Sequence, residues 1–278
     1  MIVSTEELAR EAARSSWMVF DCRHDLVDHA RGRQLYASGH IAGAFFAPVE
    51  TALSGTKTGR NGRHPLPEPQ DMADFLAAHG VAPDKTVVAY DDAGGLYAAR
   101  LWWLARWVGL RDVRLLDGGL TKWLSEGRAL VADEPMPRPV PSWRARVLDH
   151  GVWSTAEVLR RLGDPRRLLI DARAPERFRG DIEPMDPVAG HIPGAINRFY
   201  RANLQPDLTF RPRHELRQEF AQLLGGREAA EVGHQCGSGI TACANLFAME
   251  YAGLPGSKLY AGSWSEWVAD PSRPVERG

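Results

Sequence analysis

The sequence predicts an α/β protein made of two similar halves, each with a mainly parallel central sheet flanked by helices. Short apolar segments alternate with segments of helical periodicity, which is typical of a parallel sheet covered by helices. Three motifs also occur twice, the second copy lying roughly 150 residues after the first. Residues 19–23 (VFDCR) return as 169–173 (LIDAR), 39–44 (GHIAGA) as 190–195 (GHIPGA), and 116–123 (LDGGLTKW) as 260–267 (YAGSWSEW).

A proline-rich segment separates the two halves. Residues 133–145 carry a proline at every second position from Pro135 to Pro141, and this alternation is incompatible with a helix or a central strand. We therefore expect an extended, semi-rigid connection there. The predicted domains are residues 1–132 and residues 146–278.

Each half begins with a capped helix. Ser4 and Ser154 each precede a helical segment that carries a glutamate in its first turn, so the serine hydroxyl is placed to accept a free backbone N–H. Short apolar runs predict strands at residues 18–20, 86–90, 113–116 and 168–170. In folds of this kind ligands bind beyond the carboxyl ends of the strands, so we expect the functional residues there.

Composition limits the classes of protein to which the chain can belong. Of 278 residues 44% are hydrophobic, and 34 Lys and Arg balance 35 Asp and Glu, for a net charge of -1. We expect neither a nucleic-acid nor a membrane partner, because no overall charge attracts either. The first residues lack a secretory signal pattern, and no stretch is long and apolar enough to span a membrane. The sequence thus predicts a cytoplasmic protein.

The most informative stretch runs from His234 to Cys243. It is typical of a strand end, a tight loop that begins with Cys236, and a helix predicted over residues 241–251. Gly237 and Gly239 allow the loop to turn its N–H groups towards the sulfur, and the helix N-terminus adds a partial positive charge. Both effects favour the nucleophilic thiolate.

The other cysteines and the first half carry no comparable signal. Cys243 lies among alanines and leucine within the predicted helix, which indicates a packed and inert position. Aligning the first half with the Cys236 loop places Asp92 opposite Cys236, so we expect that half to be non-catalytic. Its tryptophan-rich helix, residues 101–107, is interpreted as packing. With Cys22, the cysteines form neither a disulfide framework nor a zinc motif.

These motifs together resemble the tandem-domain rhodanese superfamily and, within it, the 3-mercaptopyruvate and thiosulfate sulfurtransferases. The resemblance covers essentially the whole chain. It rests on the Cys236-to-Thr241 loop, on the paired His-Ile-x-Gly-Ala motifs at His40 and His191, on the Asp-x-Arg pairs that begin at Asp21 and Asp171, and on residues 262–267.

The resemblance implies transfer of a sulfane sulfur through a persulfide on Cys236. Such covalent catalysis divides one difficult transfer into two easier ones, and it needs no metal, nucleotide or flavin. The N–H groups of the loop, formed by Gly237, Gly239, Ile240 and Thr241, are expected to hold the persulfide anion and the substrate. The implied acceptor is cyanide, a small thiol or thioredoxin.

The identity of the sulfur donor depends on the residues around this loop. Gly237 and Ser238 are neutral, which favours mercaptopyruvate over the dianion thiosulfate, although thiosulfate stays open as the main donor. The resemblance implies that Ser238 works with His40 and Asp28 from the first half.

Arginines are the expected ligands of the donor carboxylate. The resemblance assigns this role to Arg177, because a guanidinium binds a carboxylate through two parallel hydrogen bonds. Met185 stands where a second arginine is expected. Arg179, Arg198 and Arg201 are the candidates to replace it.

Two other classes of protein are alternatives to a sulfurtransferase. A Cys-x5-Arg phosphatase needs an arginine six positions after its nucleophile to bind phosphate, and Ala242 stands there. Phosphatase activity is therefore not expected. A non-catalytic rhodanese-like module that binds or carries sulfur is the remaining alternative, and the intact Cys236 loop favours the enzyme.

Overall fold

Each half of the chain contains its own parallel β-sheet. The computed structural model describes residues 1–12, 14, 16–147 and 151–278. Residues 148–150, near the start of the predicted second domain, lie outside the described residues. The chain forms two units: the first comprises Met1–Gly55, Pro67–Leu148 and Leu204–Phe210, and the second comprises Thr56–Leu66, Asp149–Asn203 and Arg211–Gly278.

The first unit has five strands in the order β1-β5-β4-β2-β3, and all four strand pairs are parallel. Its elements are β1 (Ile2–Val3), α1 (Thr5–Glu11), β2 (Trp17–Asp21), α2 (Arg31–Ser38), β3 (Ala44–Phe46), α3 (Pro69–Ala78), β4 (Thr86–Tyr90), α4 (Ala98–Trp107), β5 (Val113–Leu116) and α5 (Gly119–Ser125). Its apolar core lies between the sheet and the helices and includes Leu8, Val19, Val88 and Trp123.

The second unit repeats this plan with four parallel strands in the order β7-β6-β8-β9. Its elements are α6 (Thr155–Arg160), β6 (Leu168–Asp171), α7 (Pro175–Arg179), β7 (Ile196–Asn197), α8 (Arg213–Leu224), β8 (Val232–Gln235), α9 (Thr241–Tyr251), β9 (Lys258–Leu259) and α10 (Ser263–Trp267). Its core includes Trp153, Ile192, Trp264 and Trp267.

The structure divides the chain differently from the prediction in three places, one of which is the proline-rich segment, because that segment belongs to the first unit. Residues 56–66 belong to the second unit although they precede the proline-rich segment, and residues 204–210 belong to the first. The proline-rich segment has no helix or strand over residues 133–147. It packs on the first unit, where Val140 N–H donates to the carbonyl of Ala77 at 3.0 Å and Trp143 Nε1 donates to that of Val108 at 3.1 Å.

The local predictions are confirmed where they depend on neighbouring residues. β4, β5 and α9 have the predicted bounds. Ser4 caps α1 by accepting the N–H of Glu7, and Ser154 forms a complete capping box with Glu157 at α6. The predicted packing of the tryptophan-rich helix is also confirmed, because all three tryptophans of α4 are buried.

The repeated Asp-x-Arg motifs stabilise the strand ends in both units. Arg23 binds the carboxylate of Asp21 through Nε and Nη2 and donates from Nη2 to the carbonyl of Gly39. Arg173 makes the same contacts with Asp171 and Gly190. All four charged side chains are buried. Each pair thus connects the end of a strand to the glycine that precedes the His-Ile motif.

No helix within the described residues is both long and apolar enough to cross a bilayer.

Candidate active site

Cys236 lies at the carboxyl end of β8, in the loop that leads into α9. Its side chain is buried, and Sγ accepts a hydrogen bond from the N–H of Gly239 at 3.1 Å. Gly239 has a φ of 82°, and a Cβ at this position would lie 2.3 Å from the carbonyl oxygen of Ala261. Only glycine therefore allows the loop to curl around the sulfur.

The loop is held from behind by the start of α10. Cys236 N–H donates to Ser263 Oγ at 3.1 Å, and Ser263 Oγ donates to the carbonyl of Tyr260 at 2.9 Å. The N–H groups of Trp264 and Ser265 donate to the carbonyls of Cys236 and Gly237. Ser263 takes the left-handed conformation, with a φ of 54°, which is rare outside glycine. Sequence analysis did not identify this supporting residue.

The hydroxyl of Ser238 contacts a histidine other than the predicted one. Its Oγ lies 2.7 Å from Nδ1 of His64, and both residues are buried in the second unit. The expectation that Ser238 works with His40 is therefore wrong. His64 belongs to the segment 56–66, which the sequence analysis assigned to the first half.

His40 has a structural role that its counterpart repeats. Its Nδ1 bonds to the carbonyl of Tyr36 at 2.9 Å, and its ring stacks on the ring of Tyr36 at 4.0 Å. In the second unit His191 bonds to the carbonyl of Phe178 at 2.8 Å and stacks on Phe178 at 3.8 Å. The repeated His-Ile motif thus fixes one turn in each unit.

Asp28 is also misassigned. Its carboxylate accepts the N–H of Ala30 at 3.1 Å, and its own N–H donates to Asp25. The residue is exposed and lies in the turn before α2. A short polar side chain that bonds to the backbone two residues ahead stabilises such a turn.

Arg177 lies beside the loop and is held by two carboxylates, and its binding of a donor stays a prediction. Its Nη2 is 2.5 Å from Oε1 of Glu183 and 3.5 Å from Oδ2 of Asp186. Glu183 also accepts the N–H groups of Met185 and Asp186, so it fixes the turn in which the second arginine was expected. Both carboxylates are buried, and burial raises the pKa of Asp186.

A second guanidinium does reach the loop, and it comes from Arg63. The guanidinium of Arg63 forms an ion pair with Asp186, and the backbone N–H of Arg63 donates to Ser265 Oγ at 3.0 Å. A Cβ on Gly237 would lie 2.9 Å from Nη2 of Arg63 and 3.5 Å from Nη2 of Arg177. The absence of a side chain at Gly237 thus leaves two guanidinium groups adjacent to the Cys236 loop.

The other candidate arginines bind elsewhere. Arg179 pairs with Asp181 at the surface, Arg198 pairs with Glu219, and Arg201 donates to the hydroxyl of Tyr200. The proximity of Arg63 and His64 to this loop could not be predicted locally, because both residues lie far from Cys236 in the chain. The available signal was an Arg-His pair followed by prolines at positions 65 and 67, in a loop with glycines at 59 and 62.

The corresponding loop of the first unit holds a carboxylate instead of a sulfur. In the sheet registers Asp21 pairs with Tyr90, and Asp171 pairs with Gln235. The residue after Tyr90, Asp91, therefore stands opposite Cys236, and the predicted match with Asp92 is wrong. The buried carboxylate of Asp91 accepts four backbone N–H groups, those of Ala93, Gly95, Tyr97 and Ala98.

Cys243 and the remaining loop residues complete the description of the site. Cys243 is fully buried in α9, and its Sγ lies 3.4 Å from the carbonyl of Gly239. Ile240 is buried next to the start of α9, and Thr241 begins that helix and is half-buried. Their roles in substrate binding stay predictions.

Comparisons with known proteins agree with this arrangement. The rhodanese-like domain family matches residues 4–126 and 154–270. The chain is 46% identical to a probable 3-mercaptopyruvate sulfurtransferase of Pseudomonas aeruginosa, over 100% of this chain and 98% of the relative. It is 38% identical to a putative thiosulfate sulfurtransferase of Mycobacterium tuberculosis, over 91% and 88% of the two chains.

Solved structures show the same likeness. A 3-mercaptopyruvate sulfurtransferase from Leishmania major superposes with a TM-score of 0.84 at 30% identity, covering 96% of this chain and 74% of the other. The 3-mercaptopyruvate sulfurtransferase of Escherichia coli superposes with a TM-score of 0.81 at 30% identity, covering 95% and 98%. The chain therefore belongs to the rhodanese family, as a member with two tandem rhodanese-like domains.

Proposed function

We propose that this protein is a sulfurtransferase that takes sulfur from 3-mercaptopyruvate, holds it as a persulfide on Cys236 and passes it to a thiol. The observation that carries the proposal is the placement of two guanidinium groups, from Arg63 and Arg177, beside Gly237 in the loop of the nucleophile. The relatives named above supply the reaction class.

In the first step the thiolate of Cys236 attacks the sulfur of the donor. A sulfur–sulfur bond forms and the carbon–sulfur bond breaks, so its electron pair leaves as the enolate of pyruvate, which then takes up a proton. In the second step an acceptor thiolate attacks the outer sulfur and releases the thiolate of Cys236. Division of the transfer into two steps lowers the barrier of each.

Ser238 is placed to assist the first step. Its Oγ lies 2.7 Å from Nδ1 of His64. In the tautomer that carries a proton on Nδ1 the ring donates to Oγ, which fixes the hydroxyl and leaves its single proton for the donor. We assign to Ser238 the donation of a hydrogen bond to the donor carbonyl oxygen, on which negative charge develops as the enolate leaves. A positioned donor in a water-poor site stabilises such charge more than water does.

Local charge supports mercaptopyruvate over thiosulfate. Arg63 and Arg177 are already paired with two carboxylates, Asp186 and Glu183, so the four side chains sum to no net charge. A site of this kind suits a monoanionic carboxylate better than a dianion, because a dianion would place a second negative charge near the two carboxylates. Thiosulfate is the second candidate donor, since relatives bear the name thiosulfate sulfurtransferase.

The proposed acceptor is a thiol such as thioredoxin in the cytoplasm. Cys22, Cys236 and Cys243 are all free thiols, which fits a reducing compartment. The same persulfide would transfer its sulfur to cyanide in an assay.

Two measurements test this function. Thiocyanate formation from cyanide with each donor separately should give a higher kcat/KM for mercaptopyruvate, and a higher value for thiosulfate would reverse the donor assignment. Mass spectrometry after donor treatment should find an addition of about 32 Da, one sulfur atom, on Cys236. Cys236→Ser should abolish both signals, whereas the matched control Cys243→Ser should retain them. Equal losses in the two variants would mean that Cys236 is not the carrier.

A further inference from the structure

A cluster of metal-ligating side chains lies in the first unit, which has no catalytic thiol. His24, His29 and Glu50 each offer one ligand atom, and these atoms lie within 4.8 Å of one another. Oε1 of Glu50 is 3.6 Å from Nε2 of His24 and 3.7 Å from Nε2 of His29. The two imidazole rings are stacked at 5.6 Å. The catalytic residues proposed above all belong to the other unit.

The turn between β2 and α2 positions the two histidines. Asp25 accepts the N–H groups of Val27 and Asp28, and Asp28 accepts that of Ala30. These consecutive turns bring His29 back over His24. Close packing holds the other side of the turn, because a Cβ on Gly32 would lie 2.2 Å from the carbonyl oxygen of Arg23. The acidic residue misassigned to catalysis thus helps to place a histidine of this cluster.

The spacing of the ligand atoms fits a divalent ion. Zinc binds imidazole nitrogen and carboxylate oxygen at about 2.0–2.2 Å, so the ligand atoms of a tetrahedral site are roughly 3.4 Å apart. The two measured nitrogen–oxygen separations exceed this by only a few tenths of an ångström. The side chain of His29 is 52% exposed, whereas that of His24 is 4% exposed. Closure around an ion therefore requires movement mainly of the accessible ring.

All three side chains line one cavity of about 690 Å³. Its other walls are largely aromatic and include Tyr36, Phe45, Phe46 and Phe75. The charged groups at the rim, Arg33 and Glu134, form an ion pair at 2.6 Å. Because Glu134 balances the positive charge of Arg33, that arginine repels a bound cation only weakly. An ion held by the three ligands would have its remaining coordination position on the cavity.

We propose that His24, His29 and Glu50 form a binding site for one borderline divalent ion such as Zn²⁺. Two imidazoles and one carboxylate are a ligand set that suits zinc and its neighbours in the first transition series, and that leaves one position for water or a small ligand. The proposal is independent of sulfur transfer and concerns a second site on the non-catalytic half.

Titration with Co²⁺, as a spectroscopic substitute, and with Zn²⁺ tests the site. The parent for these measurements is Cys236→Ser, which removes the reactive thiol as a competing ligand. We expect one equivalent of Co²⁺ to give visible bands of a nitrogen- and oxygen-ligated ion, without the near-ultraviolet charge transfer of a thiolate ligand. Addition of Zn²⁺ should displace the Co²⁺. Absence of binding up to roughly 1 mM metal, where affinity is negligible, would overturn the proposal.

Single substitutions identify the ligands. His29→Ala and Glu50→Gln should each weaken Zn²⁺ binding by at least about tenfold, because each removes one of three ligands. His214→Ala, which removes another exposed histidine in α8, should leave the affinity unchanged. Equal affinities in all four proteins would show that the ion binds elsewhere. In the background with Cys236 intact, His29→Ala should keep the sulfur-transfer rate, so failure of the metal site and failure of the proposed function are distinguishable.

Discussion

Ser263 and Gly119 stand at matching positions in the two units and adopt the same backbone conformation, with φ values of 54° and 55°. Position 119 requires glycine, because a Cβ there would lie 2.3 Å from the carbonyl oxygen of Asp91. The second unit has a serine at the start of the corresponding helix, and its hydroxyl accepts the N–H of Cys236. The left-handed conformation of a non-glycine residue thus serves to hold the loop of the nucleophile.

Two substitutions of Ser263 distinguish the effect of its backbone strain from the effect of its hydrogen bond to Cys236. Ser263→Ala and Ser263→Gly both remove the acceptor of the Cys236 N–H, so both should lower kcat. The glycine variant also relieves the left-handed conformation, which costs an L-residue roughly 1–2 kcal/mol. We therefore expect the free energy of unfolding, from urea denaturation, to be higher for Ser263→Gly than for Ser263→Ala by about 1 kcal/mol. If Ser263→Ala were as stable as Ser263→Gly, the left-handed conformation at position 263 would not strain the backbone.

Arg63 is a residue whose importance only the folded chain reveals. A charged hydrogen bond contributes about 1.5–3 kcal/mol, and tenfold corresponds to about 1.4 kcal/mol. Arg63→Ala should therefore lower kcat/KM for mercaptopyruvate by roughly 10- to 100-fold, and Arg63→Lys should recover only part, because an ammonium lacks the planar fork.

The control for Arg63 is Arg179→Ala, since that guanidinium pairs with Asp181 at the surface. Its steady-state constants should equal those of the unmodified protein. If the two alanine variants had the same kcat/KM, Arg63 would have no part in donor binding.

At the scale of elements, the sequence predicted those features whose signals are local. The bounds of α9 follow from an apolar run that begins after the glycines at 237 and 239, and the caps of α1 and α6 follow from serines with a glutamate in the next turn. Each depends on residues within a few positions of one another. Such signals also located the end of the strand that precedes Cys236.

Features that depend on distant contacts could not be derived in this way. His64 and Ser238 are separated by 174 positions, and the segment 56–66 has no apolar periodicity to assign it to a sheet or helix.

The predicted alignment of Asp92 with Cys236 was wrong for another reason. The first-unit loop runs from Asp91 to Ala98 and the second from Cys236 to Thr241, so an alignment anchored at the helix is shifted at the strand.

The two histidines of the corrected assignment should respond differently to substitution. His64→Asn should reduce kcat, because Ser238 loses its partner. His40→Asn should reduce thermal stability, because a stacked and buried ring is lost, while kcat per folded molecule stays unchanged. His191→Asn, at the structural counterpart, is the matched control and should behave like His40→Asn. If His40→Asn lowered kcat and His64→Asn did not, His40 and not His64 would be the functional partner of Ser238.

At the scale of the whole molecule, stability depends on pH through side chains that fold into apolar surroundings. His234 on β8 is fully buried, and burial lowers its pKa from 6.5 to about 3. As the pH falls, His234 therefore becomes protonated near pH 6.5 in the unfolded chain but only near pH 3 in the folded chain. The contribution is absent above pH 6.5 and destabilises the fold progressively as the pH falls.

We expect the free energy of unfolding to decrease by about 1.4 kcal/mol per pH unit from this group between pH 6 and pH 3. His234→Leu has no titratable group at this position. In this variant the free energy of unfolding, from urea denaturation, should fall less steeply with decreasing pH, by the slope that one proton contributes. His214→Ala removes an exposed histidine and should leave that slope unchanged. Buried carboxylates with raised pKa values, such as Asp91 and Asp186, contribute with the opposite sign, so the difference between variant and parent isolates His234. If the free energy of unfolding had the same pH dependence in His234→Leu and in the parent protein, the ring of His234 would take up its proton at the same pH in the folded and unfolded states, and burial would not lower its pKa.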